Sequence, residues 1–195
     1  MKTEPDFFKI EHENLMPEKG NLLISEPFSN DAYFKRSVVL LTLNDDEGSV
    51  GFILNKQVDI SLSDLFEEDF DFKGKVSIGG PVSIDRIDFL HTLGELIPNS
   101  KHVIDNIYWG GDFNVVLKML RSKSISEEQI RFFIGYSGWS KGQLDKEIEN
   151  DFWLVTHPDT QSIMPIDENY WKTTLKRLGR KYEVWLNIPE DPVLN

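Results

Sequence analysis

A chain of 195 residues with 39% apolar and 12% aromatic side chains has the apolar mass for one folded domain with a sizeable core, and too much for a disordered chain. It has no cysteine, which excludes a disulfide framework, a thiolate metal centre, an iron–sulfur cluster and a cysteine nucleophile. The net charge of −12 is concentrated in residues 1–100, where 9 basic face 19 acidic side chains, and a surface of that sign repels phosphate backbones and argues against direct nucleic-acid binding.

Residues 1–19 read as a polar N-terminal extension. Their opening "MKTEPDFFKIEHEN" has no apolar stretch of signal-peptide length, and no run of about 18 apolar residues occurs anywhere, so a cytoplasmic chain that does not span a membrane is expected. "NLLIS" (21–25) is the first predicted strand. "SVVLLTL" (37–43) and "VGFIL" (50–54) flank the turn "NDDEGS" and predict a hairpin, whose nearly continuous apolar runs imply cover on both faces. "SLSDLF" (61–66) predicts a short helix capped by Ser61, with Asp64 three residues on. The acidic "EEDFDF" (67–72) lacks the glycine turn and closing glutamate of a calcium loop and reads as a solvated turn.

"KVSIGG" (75–80) predicts a strand ending in a double glycine before Pro81, "IDFLHTL" (87–93) another, and "NIYWGG" (106–111) a third. Asp112 is placed to cap a helix with Phe113, Val116, Leu117 and Leu120 on one face. "IRFFIGYS" (130–137) and "DFWLVT" (151–156) read as strands, and "DENYWKTTLKRLG" (167–179) as a helix stopped by Gly179. The basic clusters "KMLRSK" (118–123) and "KRLGRK" (176–181) suit the C-terminal ends of predicted helices. No linker or repeat divides the chain, so one α+β domain over 20–188 and a tail over 189–195 are expected, with strands outnumbering helices in a mixed sheet.

Two glycine-rich strand ends are the candidate binding residues: Gly79, Gly80 and Pro81 in the first, and Gly135, Ser137, Gly138, Trp139, Gly142 and Gln143 in the second. In "GYSGWSKGQLDKE" (135–147), an N-cap at Ser140 would make Ser140/Gln143 a capping box and Trp139/Leu144 a hydrophobic staple. That accounts for the larger residues but not for the glycines, which bare the backbone before a helix start where an anion can bind. The stretch is no P-loop, and Trp139 stands where a hydrolase elbow around Ser137 would need glycine. His91 lies in an apolar strand pattern, as a core histidine or as a proton-transfer group paired with Asp85, Asp88 or Ser137. The histidines at 12, 91, 102 and 157 have no ligand spacing, so neither a metal nor a cofactor is called for.

The segments "GNLLISEPF" (20–28), "FKRSVVLL" (34–41), "GFILNK" (51–56), "SIGGPV" (77–82), "FLH" (89–91) and "GYSGWSKGQLDKEI" (135–148) with "WLV" (153–155) together resemble the YqgE/AlgH family of bacterial proteins. Asp145, where a glutamate is common, and the acidic N-terminus depart from the pattern. The resemblance implies a single α+β domain in the bacterial cytosol, with a strongly bent, largely antiparallel mixed sheet approaching a barrel and helices packed outside. Members often carry the label of transcriptional regulator, and no catalytic residue or cofactor comes with the resemblance. The expected function is therefore an accessory or regulatory protein that binds a small molecule or a protein partner, with any regulation indirect. The alternative is an enzyme whose cleft forms between the 79–81 and 135–143 loops.

Overall fold

A computed structural model of the chain describes residues 15–29, 31–68 and 70–189. His12 and most of the two expected terminal segments lie outside the described residues. The apolar runs become β1 (Leu22–Ser25), β2 (Val38–Asp45) and β3 (Gly48–Ile53), with β2 and β3 paired antiparallel as the expected hairpin. β4 (Gln57–Ser61) leads into α1 (Leu62–Phe66), whose N-cap Ser61 and residue Asp64 form the expected capping box. β5 (Lys75–Ile78), β6 (Val82–His91), β7 (Lys101–Ile104) and β8 (Ile107–Trp109) follow. Then come α2 (Phe113–Arg121), capped by Asp112 as expected, β9 (Ile130–Ser140), α3 (Gln143–Glu149), β10 (Trp153–Thr156), α4 (Tyr170–Leu178) and the short α5 (Glu183–Leu186).

The strands form one sheet in the order β10-β1-β2-β3-β9-β6-β8-β7, with β5 beside β9 and β4 beside β5. β5–β9 is the parallel pairing, and the others are antiparallel. The sheet bends until its far edge meets the residues before β1: Lys19 Nζ donates to the His102 carbonyl at 3.1 Å. No ladder joins β7 to β1, so the sheet approaches a barrel without closing.

Successive residues of β1 and β2 serve different core clusters, which is why those strands read as unbroken apolar runs. Leu22, Ile24, Val38 and Leu40 pack with Phe52, Phe133 and the inner faces of α4 and α5. Leu23, Val39 and Leu41 pack with Trp139, Leu144 and Trp153. A third cluster joins Val76, Phe89 and Phe132 to Leu62 of α1 and to Val116 and Leu120 of α2. The acidic turn and the first basic cluster neutralise each other: Arg121 makes a two-pronged contact with Glu68 at 2.7 Å on each prong, and Lys123 reaches Asp71 at 2.7 Å. These pairs are exposed and contribute little individually.

Candidate functional site

The two glycine-rich strand ends do meet, backbone against backbone. Ile53 N–H donates to the Gly79 carbonyl at 3.0 Å, Gly79 N–H to the Ile134 carbonyl at 2.9 Å, and the buried Ser137 hydroxyl to the Gly79 carbonyl at 2.9 Å. Gly135 has φ +64°, and a Cβ there would lie 2.7 Å from the Gly80 oxygen and 2.8 Å from the Val82 oxygen. Gly80 is packed against the Tyr136 backbone in the same way. The glycines thus let two chain segments touch, a clasp that leaves no room between them. Pro81 stands exposed at its edge.

The clasp forces an irregularity on β6. Val82 is opposite Tyr136 and Ile87 opposite Ile134, so residues 83–86 loop out around Gly135. Ser83 takes a positive φ of 50° in this excursion. Bulges of this kind re-aim side chains beside binding sites. Here the excursion ends on Arg86 and Asp88, which form one wall of a cleft of about 470 Å³. Tyr136 and Val50 form a second wall, and Trp109, Gly110 and Gly111 a third, with Asn99, Lys101 and Phe113 at its ends.

Asp88 is the central polar group of the cleft. It is 4% exposed. Arg86 Nη2 donates to Oδ1 at 2.9 Å, and Trp109 Nε1 donates to the same oxygen at 3.2 Å. Oδ2 lies 2.8 Å from Arg86 Nε but takes no well-directed hydrogen bond. The Arg86 side chain is itself 59% exposed. The oxygen is itself enclosed, so a ligand donor reaches it only by displacing the Arg86 side chain that covers it. Lys101 Nζ sits 4.8 Å from the centre of the Trp109 ring, which places a second cation at the rim. The sequence offered Asp88 only as a partner for His91, not as the polar centre of a cleft.

His91 lies behind the cleft wall and is fully buried. Its Nδ1 accepts from Leu93 N–H at 3.2 Å, which assigns the proton to Nε2. Nε2 then donates to the Gly110 carbonyl at 3.0 Å, with Ser100 Oγ at 2.9 Å. The ring therefore positions the Gly110–Gly111 turn. Asp85, Asp88 and Ser137 are not among its partners. Asp88 and His91 stand three apart on β6, which puts them on opposite faces of the strand, and the Ser137 hydroxyl is spent on Gly79. The expected pairings of His91 with those groups do not form.

Burial holds the His91 pKa below its ordinary value of 6.5, and the Gly110 hydrogen bond opposes this more weakly. A histidine whose pKa is depressed on folding stabilises the fold above its unfolded pKa, and that contribution is lost as pH falls through the folded value. The melting temperature is therefore expected to fall from pH 6.5 downward, and His91→Gln is expected to flatten this part of the profile. Differential scanning calorimetry across that window checks it.

The start of α3 differs from expectation. Its N-cap is Gly142, with φ +69°, and Ser140 is the last residue of β9. A left-handed residue before the helix turns the chain sharply, and glycine adopts it freely, so Gly142 does not sit in the first helical turn. Gln143 still reaches back, its Oε1 accepting from Ser140 N–H at 3.0 Å and from the hydroxyl at 3.1 Å. Trp139 and Leu144 share one buried cluster, but with the cap at Gly142 they are not the N′ and N4 positions of the expected staple. Glu147, which sequence reasoning missed, binds this corner together. Its Oε2 accepts from Trp139 Nε1 and from Trp153 Nε1, each at 2.8 Å, and its Oε1 from Gln143 Nε2 at 2.9 Å.

Gly79, Gly80, Ser137 and Gly142 line none of the principal cavities. Gly138 and Trp139 border a shallow depression beside the β2–β3 turn, and Gln143 another on α3. His102 Nε2 donates to the Asp105 carbonyl of its own turn, and His157 contacts Asn21. Among the described residues, no group of three or more His, Asp or Glu side chains could hold a metal, and no helix is long and apolar enough to cross a membrane.

A family model described as AlgH-like matches residues 22–183. A UPF0301 protein of Parabacteroides distasonis is 41% identical over 198 residues, and one of Bacteroides thetaiotaomicron 40%, each match covering the whole of both chains. Among solved structures, a crystal structure of a Corynebacterium diphtheriae protein superposes with a TM-score of 0.75 at 18% identity, covering 92% of this chain and 95% of that one. The solution structure of the AlgH protein from Pseudomonas aeruginosa superposes with a TM-score of 0.72 at 21% identity, covering 97% of this chain and 98% of that one. At these identities the two structures speak for the fold alone.

Proposed function

The chain belongs to the AlgH-like family, and from that premise we propose that it is a bacterial accessory protein that binds a small molecule in the Asp88 cleft. The observation that carries this reading is the almost fully buried Asp88 carboxylate, with one oxygen lacking a directed donor, in a cleft that also presents the Trp109 and Tyr136 rings. A cleft of about 470 Å³ lies within the size range of small-molecule sites. The ligand that fits is a flat heteroaromatic ring with an N–H donor for Asp88 and faces for Trp109 and Tyr136. An anionic substituent would meet Arg86 and Lys101 at the rim. A mononucleotide is the simplest molecule with those parts.

The glycine clasp, with Gly79, Gly80, Pro81, Gly135, Ser137 and Gly138, is the scaffold that sets the β6 excursion and places Tyr136. His91 fixes the Gly110–Gly111 wall. Trp139, Gly142 and Gln143 brace the far end of β9. Binding rather than catalysis is supported because His91 and Ser137 are each committed to backbone carbonyls. A role that reaches gene expression only indirectly is supported by the net charge of −12, which disfavours direct contact with phosphate backbones.

A thermal-shift screen against mononucleotides, small anions, divalent metals and duplex DNA tests the reading. A ligand at 100 times its Kd adds about 2.7 kcal/mol, or roughly 5–10 °C for a domain of this size. Asp88→Asn keeps the shape, removes the charge, and is expected to weaken binding about tenfold. A shift from duplex DNA alone, or one that Asp88→Asn leaves intact, contradicts the proposal.

A further inference from the structure

The Arg86–Asp88 pair has the form of a ligand contact made from within the chain. Two nitrogens of the guanidinium face the two carboxylate oxygens: Nη2 donates to Oδ1 at 2.9 Å, and Nε stands 2.8 Å from Oδ2. The second contact is short but poorly aligned, since Oδ2 takes no directed hydrogen bond. Both residues rise two positions apart on β6 and line the same cleft. A side chain tethered that close must curl back on its own strand, and here it meets one oxygen well and the other badly. The Arg86 side chain is 59% exposed and that of Asp88 5%, so the cover lies on the solvent side and can leave while the carboxylate stays. Trp109 Nε1 holds Oδ1 at 3.2 Å from the opposite wall, independently of Arg86.

What covers Asp88 is a planar N–C–N unit with a hydrogen on each nitrogen. An ionised carboxylate only accepts, so a molecule that takes the place of Arg86 must bring two such donors side by side. Guanine has that edge: its ring N1–H and its 2-amino group flank C2 as Nε and Nη2 flank Cζ. Adenine and cytosine each put an unprotonated ring nitrogen beside the amino group, and its lone pair would face a carboxylate oxygen. Uracil has one N–H between two carbonyls.

Resting on the reading of this cleft as a small-molecule site, we infer that it selects the 2-amino-oxopyrimidine edge shared by guanine and pterins, and that the ligand enters by displacing Arg86. The released guanidinium then joins Lys101 at the rim, where a phosphate or other anionic substituent can be met. Arg86 and the ligand edge cover Asp88 in turn, so the exchange leaves no buried charge unpaired.

Titration of the full chain with GMP, IMP, AMP and pterin-6-carboxylate, followed at the Trp109 indole N–H resonance, tests it. GMP is expected to bind most tightly of the three nucleotides. IMP keeps N1–H but lacks the amino group and is expected to bind about tenfold more weakly, and AMP about a hundredfold. The pterin is expected to bind more tightly than AMP, and its rank against GMP tells which carrier of the edge the cleft prefers. Asp88→Asn offers a donor and an acceptor, which suit the C2 carbonyl and N1–H of xanthine, so this variant is expected to bind XMP at least as tightly as GMP. Arg86→Ala removes the competing edge and changes only an exposed side chain. It is expected to bind guanosine, which has no phosphate, several-fold more tightly than the wild type. AMP or IMP binding as tightly as GMP overturns the inference and leaves the broader reading of a small-molecule cleft in place. Weaker guanosine binding by Arg86→Ala also overturns it, because Arg86 would then hold the base and not cover Asp88. If no compound moves the Trp109 resonance, the broader reading falls as well.

Discussion

Replacing Gly135 with alanine is expected to lower stability by about 4 kcal/mol, which for a domain of this size is roughly 10 °C in Tm. Two costs add. An alanine held at φ +64° is strained by about 1–2 kcal/mol. Its Cβ would also press on the Gly80 oxygen at 2.7 Å and the Val82 oxygen at 2.8 Å, both backbone atoms fixed by the strands that carry them. The clasp would have to open, and with it the excursion of residues 83–86 that places Asp88. Gly142 is the control. It has a similar φ of +69°, but a Cβ there meets nothing within 4 Å. Gly142→Ala is expected to cost only about 1 kcal/mol, and Gly142→Asn less, because asparagine tolerates the left-handed region. Guanidinium titration of the three variants measures this. Equal costs at 135 and 142 would mean that backbone conformation alone, and not the close approach, makes glycine necessary.

Removing the Glu147 carboxylate, as Glu147→Ala, is expected to cost about 3 kcal/mol. Hydrogen bonds to a charged acceptor contribute about 1.5–3 kcal/mol each, and an indole N–H left buried without a partner adds a desolvation penalty. Trp139 and Trp153, 5% and 3% exposed, both lose their acceptor. Around them Phe34 lies 6.2 Å from the Trp139 ring and 5.3 Å from the Trp153 ring, so loss of the carboxylate loosens a whole aromatic corner. A red-shifted tryptophan emission should accompany the drop in Tm. Glu147→Gln offers one oxygen in place of two and is expected to recover about half the loss. If Glu147→Ala melts within about 0.5 kcal/mol of the wild type, the indoles find other acceptors and the corner is held by packing alone.

The parts of the fold that rest on local chemistry were legible in the sequence. The β2–β3 hairpin showed itself because both faces of each strand are buried, and the Ser61–Asp64 and Asp112 caps because capping is a relation between near neighbours. β4 and β7 were missed. The polar "QVDIS" and "KHVI" lie at the margins of the sheet, where little burial imposes a pattern. The glycines at 79, 80 and 135 stood out as glycine-rich strand ends and candidate binding residues, but a sequence does not say what lies against them. Their partners are each other, across more than 50 residues, and the displaced register of β6 follows from that distant contact. Asp88 and Arg131 were hidden for a related reason. Each is a charge in an apolar strand, and only the folded neighbourhood reveals that Asp88 faces a cleft and that Arg131 is buried among backbone carbonyls. Glu147 was one acidic residue among several on a helix until two tryptophans from different strands converged on it.

The most direct test of the central claim, that the Asp88 cleft is the binding site, is a backbone and indole amide NMR map of the full chain titrated with mononucleotides and related heteroaromatic fragments. The account expects the largest shifts at the Trp109 indole N–H and at the Gly110 and Gly111 amides, with the Gly79 and Gly80 amides changing little. Shifts concentrated at Gly142, Gln143 and the first turn of α3, or no fragment perturbing Trp109 at all, would contradict it.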